Sequence, residues 1–356
     1  MPKPANLGWL SACAPNSPAR RHPLTLDNPP IRPETKTFIS NHRQSMDPCN
    51  NPHIFYHHGQ FLSHNEGPGP QPVLVPEFSY CSTTIHHNIR IPVPYLWVED
   101  IYPRSIDPEW DDKFDERLLW RGSNTGLYQE KNSRWRDAQR HFLVELANDY
   151  RGVLDVLPPD RTRTEKLVDL REMVKARINP AVMDIAFTGS PIGCDPETCQ
   201  ILKEDYQWRE RQGHREAGNY KYVIDVSGLS LVPQINIDDI KVDGNGWSGR
   251  FKRLMTSNSL IFKSTIYPEW SVAPCIPLYV LKTHGLPRYT DRVAPWVHYI
   301  PIQVDLSDLH DALIFFRGDP NGNGSHEYLA RKIALAGRQW SKQFWREEDL
   351  VSYFFR

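Results

Sequence analysis

The chain holds 356 residues, with 42 lysines and arginines against 43 aspartates and glutamates and a formal net charge of −1. That length buries the core of one large or two smaller domains, and the balanced charge excludes the polycationic surface of a general nucleic-acid binder. No apolar run reaches the roughly 18 residues of a membrane span and no signal-peptide core opens the chain, so it reads as soluble, with no anchor of its own.

Residues 1–70 are rich in proline, asparagine and histidine and show little periodicity, which predicts an irregular segment wrapped on the surface. His42, His53, His57, His58 and His64 have no Asp, Glu or Cys partner at clear ligand spacing, so no metal is assigned to them. The six cysteines form no zinc framework. Cys194 and Cys199 stand too far apart for a zinc knuckle, and Cys49 and Cys81 fit either a disulfide in an oxidising lumen or two isolated thiols. Residues 71–117 read as a partial α/β half, with short strands in Val75–Ser82 and Ile91–Val98 around a His86-His87 turn.

From 118 to 356 strands and helices alternate, an α/β pattern. Leu118-Leu119-Trp120 is a short strand running into Arg121-Gly122-Ser123-Asn124-Thr125-Gly126, a turn whose hydroxyls, amides and arginine suit phosphate or ribose oxygens. Ser133–Tyr150 has helical spacing, with Trp135, Ala138, Phe142, Leu143, Leu146 and Ala147 on a core-facing stripe. Val182–Gly189 reads as a strand ending in a glycine turn, and Tyr220–Val226 and Ser259–Phe262 as further buried strands. Between the last two, Gly244, Gly246 and Gly249 lead into Arg250, Lys252 and Arg253. A glycine-rich turn opening a helix leaves N–H groups free for an anion such as a diphosphate, and the same composition also makes an ordinary basic surface turn. Leu306–Phe316 and Glu327–Arg346 are amphipathic helices joined by the Gly318–Gly324 turn.

Three blocks carry a resemblance: Leu119-Trp-Arg-Gly-Ser-Asn-Thr-Gly126, Asp243-Gly-Asn-Gly-Trp-Ser-Gly-Arg-Phe-Lys252 and Pro295-Trp-Val-His-Tyr-Ile-Pro-Ile302. In content and order they are similar to blocks of the CAP10-type glycosyltransferases, a family that includes the protein O-glucosyltransferases and fungal capsule xylosyltransferases. The likeness runs from about Val75 to the C-terminus. It implies a GT-B-like fold with a Rossmann-like nucleotide-sugar domain over 118–356 and an incomplete N-terminal half. The implied reaction is inverting transfer of glucose or xylose from a UDP-sugar donor to a hydroxyl of a glycan or protein, with no metal and no cofactor beyond the donor. The implied compartment is the Golgi or ER lumen, with membrane attachment only through a segment outside this chain.

Such a transfer needs positive charge on the departing diphosphate and hydrogen bonds to nucleoside and sugar. The resemblance gives the first task to Arg250 and Lys252, assisted by the helix start at Ser248 and by Arg121, Gly122, Ser123 and Thr125. Asn245 and Gly246 shape the loop. Glu269 fits either the ribose hydroxyls or a solvated loop acid, and Lys263 either the phosphates or an edge strand.

The chain also departs from the family. Residues 227–242 separate the Tyr220–Val226 strand from its glycine loop, and 271–288 interrupt the next block. Each is either a surface loop or a translated intron, since Val226-Ser227 matches an in-frame fungal-type splice donor. The family's proton acceptor, an aspartate on an early strand, would precede Met1. Glu99-Asp100 does not occupy that position, so no catalytic base is named. Weak nucleotide binding and little transfer are expected, and an inactive nucleotide-sugar-binding pseudoenzyme or a misannotated gene fragment are the rival readings.

Overall fold

A computed structural model of the chain describes residues 8–21, 36–62, 73, 75–79, 81–90, 107–159, 170–226, 248, 250–268, 293–346, 348–349 and 351. Its strands, in chain order, are β1 (Phe78–Ser79), β2 (Ile89–Arg90), β3 (Asp115–Gly122), β4 (Val153–Val156), β5 (Arg171–Val174), β6 (Met183–Phe187), β7 (Tyr220–Val226), β8 (Leu260–Ser264) and β9 (Ile300–Pro301). Five of them form one parallel sheet in the order β6-β3-β7-β8-β9. The expected α/β class holds, and the sheet is compatible with a Rossmann-like fold.

Every residue of β7 and β8 is buried, as interior parallel strands covered by helices on both faces require. Alternation along the strands sorts the two faces. Leu118, Trp120, Ile185, Tyr222, Ile224 and Phe262 pack on one side with Leu143 and Val144 of helix Gln139–Asn148 and Leu313 of helix Leu309–Arg317. On the other side Ile261 meets Phe251 and Met255 of helix Phe251–Met255 and Trp340 of helix Glu327–Phe344. The apolar stripe predicted for 133–150 is therefore core; a 3₁₀ turn at Trp135–Asp137 precedes the helix proper.

The order of the strands places a crevice. From β3 the chain crosses through helix Gln139–Asn148 to β6 on one flank, whereas from β7 it crosses through helix Phe251–Met255 to β8 on the other flank and the opposite face. The two adjacent carboxyl ends thus send their loops apart, the topological switch point at which open α/β sheets bind ligands. The predicted Arg121–Gly126 loop begins there, and Ser248 and Arg250 of the second predicted loop lie beside it. The inserted segments, Ile91–Val98, Glu99-Asp100, Asn245, Gly246 and Glu269 lie outside the described residues.

The proline- and histidine-rich N-terminal part does more than wrap the surface. Trp9, Phe55, Tyr56 and Phe61 build a second core with Ile266, Tyr267 and Val304, residues that follow β8 and β9. A Cys13–Cys49 disulfide ties this core together. Cys49 thus pairs with Cys13, while Cys81 is in no disulfide among the described residues. Spacing alone could not choose the pair, because the short turns of 8–21 and 42–62 set the proximity. Cys194 and Cys199 are also disulfide-bonded. Among the described residues no helix is long and apolar enough to cross a membrane.

Gly337 lies in helix Glu327–Phe344, where a Cβ would stand 2.6 Å from the His298 carbonyl oxygen. Helix propensity favours Gly337→Ala by about 1 kcal/mol, but a clash with backbone typically costs about 1–3 kcal/mol. Gly337→Ala is expected to lower the denaturant midpoint, and an unchanged or raised midpoint would show that the helix can shift away from His298.

Candidate functional site

Asp225, near the carboxyl end of β7, organises the crevice. It pairs in register with Lys263 of β8, whose ammonium lies 2.9 Å from its carboxylate with side-chain exposures of 2% and 0%. The Ser248 hydroxyl donates to the other carboxylate oxygen at 2.5 Å. Burial opposes the Asp225 charge, but Lys263, Arg250 and the Ser248 hydrogen bond outweigh it and hold its pKa below the ordinary carboxylate value. Lys263 also faces the Phe251 ring, 3.7 Å from its centroid. It is thus an interior ion-pair partner, neither an edge-strand lysine nor a side chain reaching outward to phosphate.

Ser248 in turn holds the helix start. Its oxygen accepts from the backbone N–H of Arg250, the N-cap, at 3.3 Å and of Phe251, the first helical residue, at 3.2 Å. Asp225 thereby fixes Ser248 at the end of β7. Arg250 then extends over the carboxyl end of β3, donating to the Arg121 carbonyl at 2.5 Å.

A second arginine arrives from the opposite face. Arg140, in the first turn of helix Gln139–Asn148, donates through Nη1 to the Ser123 carbonyl at 2.9 Å and to the Thr125 hydroxyl at 2.6 Å. Both guanidiniums lie against the Trp120 ring, Arg140 at 5.9 Å and Arg250 at 5.7 Å from its centroid. The ring can fold over the strand end because Gly122 has no Cβ; one would stand 2.6 Å from the indole. Among the described residues Nε and Nη2 of Arg140 and Nη2 of Arg250 are buried without a hydrogen-bond partner. Burial, then the like charge of Arg250, presses the Arg140 pKa down to about 9 against the pull of Asp225. Burial also lowers that of Arg250, again opposed by Asp225. Unsatisfied donors and unrelieved like charge at one spot are met by an anion.

The remaining predicted residues divide. Ser123 and Thr125 line this spot, with their hydroxyls 3.2 Å apart. Arg121 does not lend its charge to it: the guanidinium turns along the sheet to Asp184, 2.7 Å away, which also accepts from Tyr220 and Arg209. It stands on the strand face opposite Trp120 and Gly122, so alternation points its side chain away from the loop. Lys252 lies half-buried in helix Phe251–Met255. Sequence reasoning missed Arg140 and the Asp225 tie. The available signal was a lone arginine at the start of an otherwise apolar helical stripe, and an Asp–Lys match that only the register reveals.

The loop is held from behind as well. Asn124, fully buried, exchanges hydrogen bonds with Ile192, and Gln129 donates to the Asn124 and Leu127 carbonyls. The Ile192–Gly193 turn runs straight into the Cys194–Cys199 disulfide. From the N-terminal part, Gly59 abuts Gly126 so closely that a Cβ would meet its carbonyl at 2.3 Å. Beside it His58 is kept neutral, its pKa lowered to about 3 by burial and then by Arg140.

Comparison with known proteins adds a lineage. Over 285 residues the chain is 25% identical to protein O-glucosyltransferase 1 of Rattus norvegicus, covering 79% of this chain and 55% of that protein. The Homo sapiens protein of the same name gives the same identity and coverage. Protein O-glucosyltransferase 2 of Danio rerio is 29% identical over 118 residues, 33% of this chain and 19% of that protein. No family model matches the chain. The chain spans about half the length of the first two relatives.

Breaking the Asp225 tie has a defined outcome. Asp225→Asn leaves Lys263 charged and buried, which is expected to cost about 3–5 kcal/mol, and adding Lys263→Met is expected to restore much of it. Because folding depresses the Asp225 pKa, its contribution is present above the unfolded value of about 3.9 and disappears as pH falls through the lower folded one. Chemical denaturation of parent and variants between pH 7 and 3 checks this. An Asp225→Asn protein as stable as the parent at pH 7 would show that the pair does not hold the loop.

Proposed function

We propose, from the chain's resemblance to the CAP10-type glycosyltransferases and its similarity to protein O-glucosyltransferases, that the crevice between β3 and β7 holds the diphosphate of a UDP-sugar. The sugar, glucose or xylose, would pass to a hydroxyl of a glycan or protein with inversion, within a GT-B-like whole. One observation carries this reading: Arg140 and Arg250 converge from opposite faces of the sheet over Trp120, with buried N–H groups open.

Departure of UDP places negative charge on its diphosphate, and preorganised donors in a dry site stabilise that charge more than they stabilise the neutral sugar. The two guanidiniums supply such donors, and the Ser123 and Thr125 hydroxyls lie beside them. The Asp225–Ser248–Arg250 chain sets the geometry before the ligand arrives, so little reorganisation remains. The reading extends to Glu269, Asn245, Gly246 and Lys252 as further contacts to the donor. Proton removal from the acceptor calls for a carboxylate near the sugar, and no residue is assigned to it. The two disulfides support folding in an oxidising compartment such as the ER or Golgi lumen.

Calorimetry with UDP and with uridine tests the reading. Arg140→Ala and Arg250→Ala are each expected to weaken UDP by about 1.5–3 kcal/mol, roughly tenfold or more, while leaving uridine nearly unchanged. Equal weakening of both ligands would overturn the diphosphate assignment. Activity assays with UDP-glucose and UDP-xylose then separate an enzyme from a binding protein that only retains the pocket.

A further inference from the structure

A second cavity, of about 480 Å³, opens beside Pro268, between the Asn41–Asp47 turn and the Ser82–Arg90 segment. That volume lies within the range of about 300–1,000 Å³ typical of small-ligand sites. Pro268 follows β8 by four residues, so the cavity lies on the same carboxyl side of the sheet as the arginine pair. Its walls are held in place. The Asp47 carboxylate accepts from the Cys49 N–H at 2.9 Å, the Asn50 amide at 2.6 Å and the Thr84 hydroxyl at 3.3 Å, joining the two walls. Arg90 donates to the Pro268 carbonyl at 2.5 Å, and the Cys13–Cys49 disulfide braces the turn.

The chemistry of the lining is one-sided. No aliphatic side chain other than Pro268 and no benzenoid or indole ring faces the cavity, so it offers neither an acyl-chain slot nor a stacking platform for a base. Arg43, exposed, has no hydrogen bond or ion pair among the described residues, and the Gln44 side-chain amide and the His87 ring likewise have no hydrogen bond there. The one carboxylate of the lining, Asp47, spends its oxygens on the scaffold. The cavity therefore presents donors and net positive charge to a ligand that is hydroxyl-rich and anionic, the character of an acidic sugar.

We propose that this cavity is an acceptor subsite for a uronate-bearing saccharide, with Arg43 holding the carboxylate and Gln44 and His87 the hydroxyls. The acceptor role rests on the transferase reading above; the saccharide site does not.

The full chain titrated with a glucuronate-terminated disaccharide and with its glucose-terminated analogue is the test. The acidic sugar is expected to bind about tenfold tighter, a preference that Arg43→Gln removes while UDP affinity, read separately, stays unchanged. Arg43 is exposed, so the variant is expected to fold, and its thermal midpoint is measured alongside. Equal affinity for the two sugars, or a preference that survives Arg43→Gln, overturns the site. So does an acidic peptide such as tetraglutamate binding in an Arg43-dependent way where the sugar does not. Arg43-dependent sugar binding with no UDP binding sinks the transferase reading and the acceptor role with it. With UDP-sugar turnover, the acceptor role requires that Arg43→Gln raise the KM for the acidic disaccharide while kcat holds. An unchanged KM overturns the role.

Discussion

A carboxylate sealed at the end of β7 survives as an anion because Lys263 stands opposite it in register, with Arg250 and Ser248 adding to the effect, and much of the site follows from that pair. With its charge fixed, Asp225 draws in the Ser248 hydroxyl, which holds the start of a short helix and thereby aims Arg250 at the carboxyl end of β3. Without the pair, a five-residue helix after a long intervening segment would be placed by the packing of Phe251 and Met255 alone, since so short a helix is marginal by itself. The interior ion pair therefore acts through position and register more than through net stabilisation, which buried pairs seldom provide.

The same logic explains why two like charges are tolerated so close together. Arg140 belongs to a helix committed to the main core through Leu143, Val144 and Ala147, and Arg250 to one committed to the opposite core through Phe251 and Met255. Packing on two independent faces brings the guanidiniums over Trp120 and keeps them there. Their own hydrogen bonds use part of their donors on loop carbonyls and the Thr125 hydroxyl, which shapes the loop, and leave the rest open. A site of this kind stores unsatisfied polarity at the one place where the topology opens a crevice. The N-terminal segment closes that place from above, with Gly59 on Gly126 and a second aromatic core on the residues beyond β8 and β9.

The crevice and the Pro268 cavity differ in chemistry. The crevice gathers Arg140 and Arg250 against Trp120, whereas the cavity at Pro268 is lined mostly by polar side chains. Both lie at the carboxyl side of the sheet, where loops are free to vary without disturbing the strands.

By itself the sequence determined the class of fold, because unbroken β-branched runs such as Tyr220–Val226 and amphipathic runs such as 309–317 allow few alternatives. It also pointed to the Arg121–Gly126 loop at the crevice, since glycines, hydroxyls and an arginine cluster where a strand ends, and three ordered blocks carried the resemblance. Only the tertiary structure decided which charges serve. Strand alternation turned Arg121 away to Asp184, register matched Asp225 to Lys263, and helix docking delivered Arg140 to a loop 15 residues earlier in the chain. The pairing of Cys49 with Cys13, across 36 residues, was likewise decided by the packing of short turns. Composition and periodicity report the local environment of a residue. Which distant group it meets depends on crossover handedness, register and packing, and a linear pattern does not encode these.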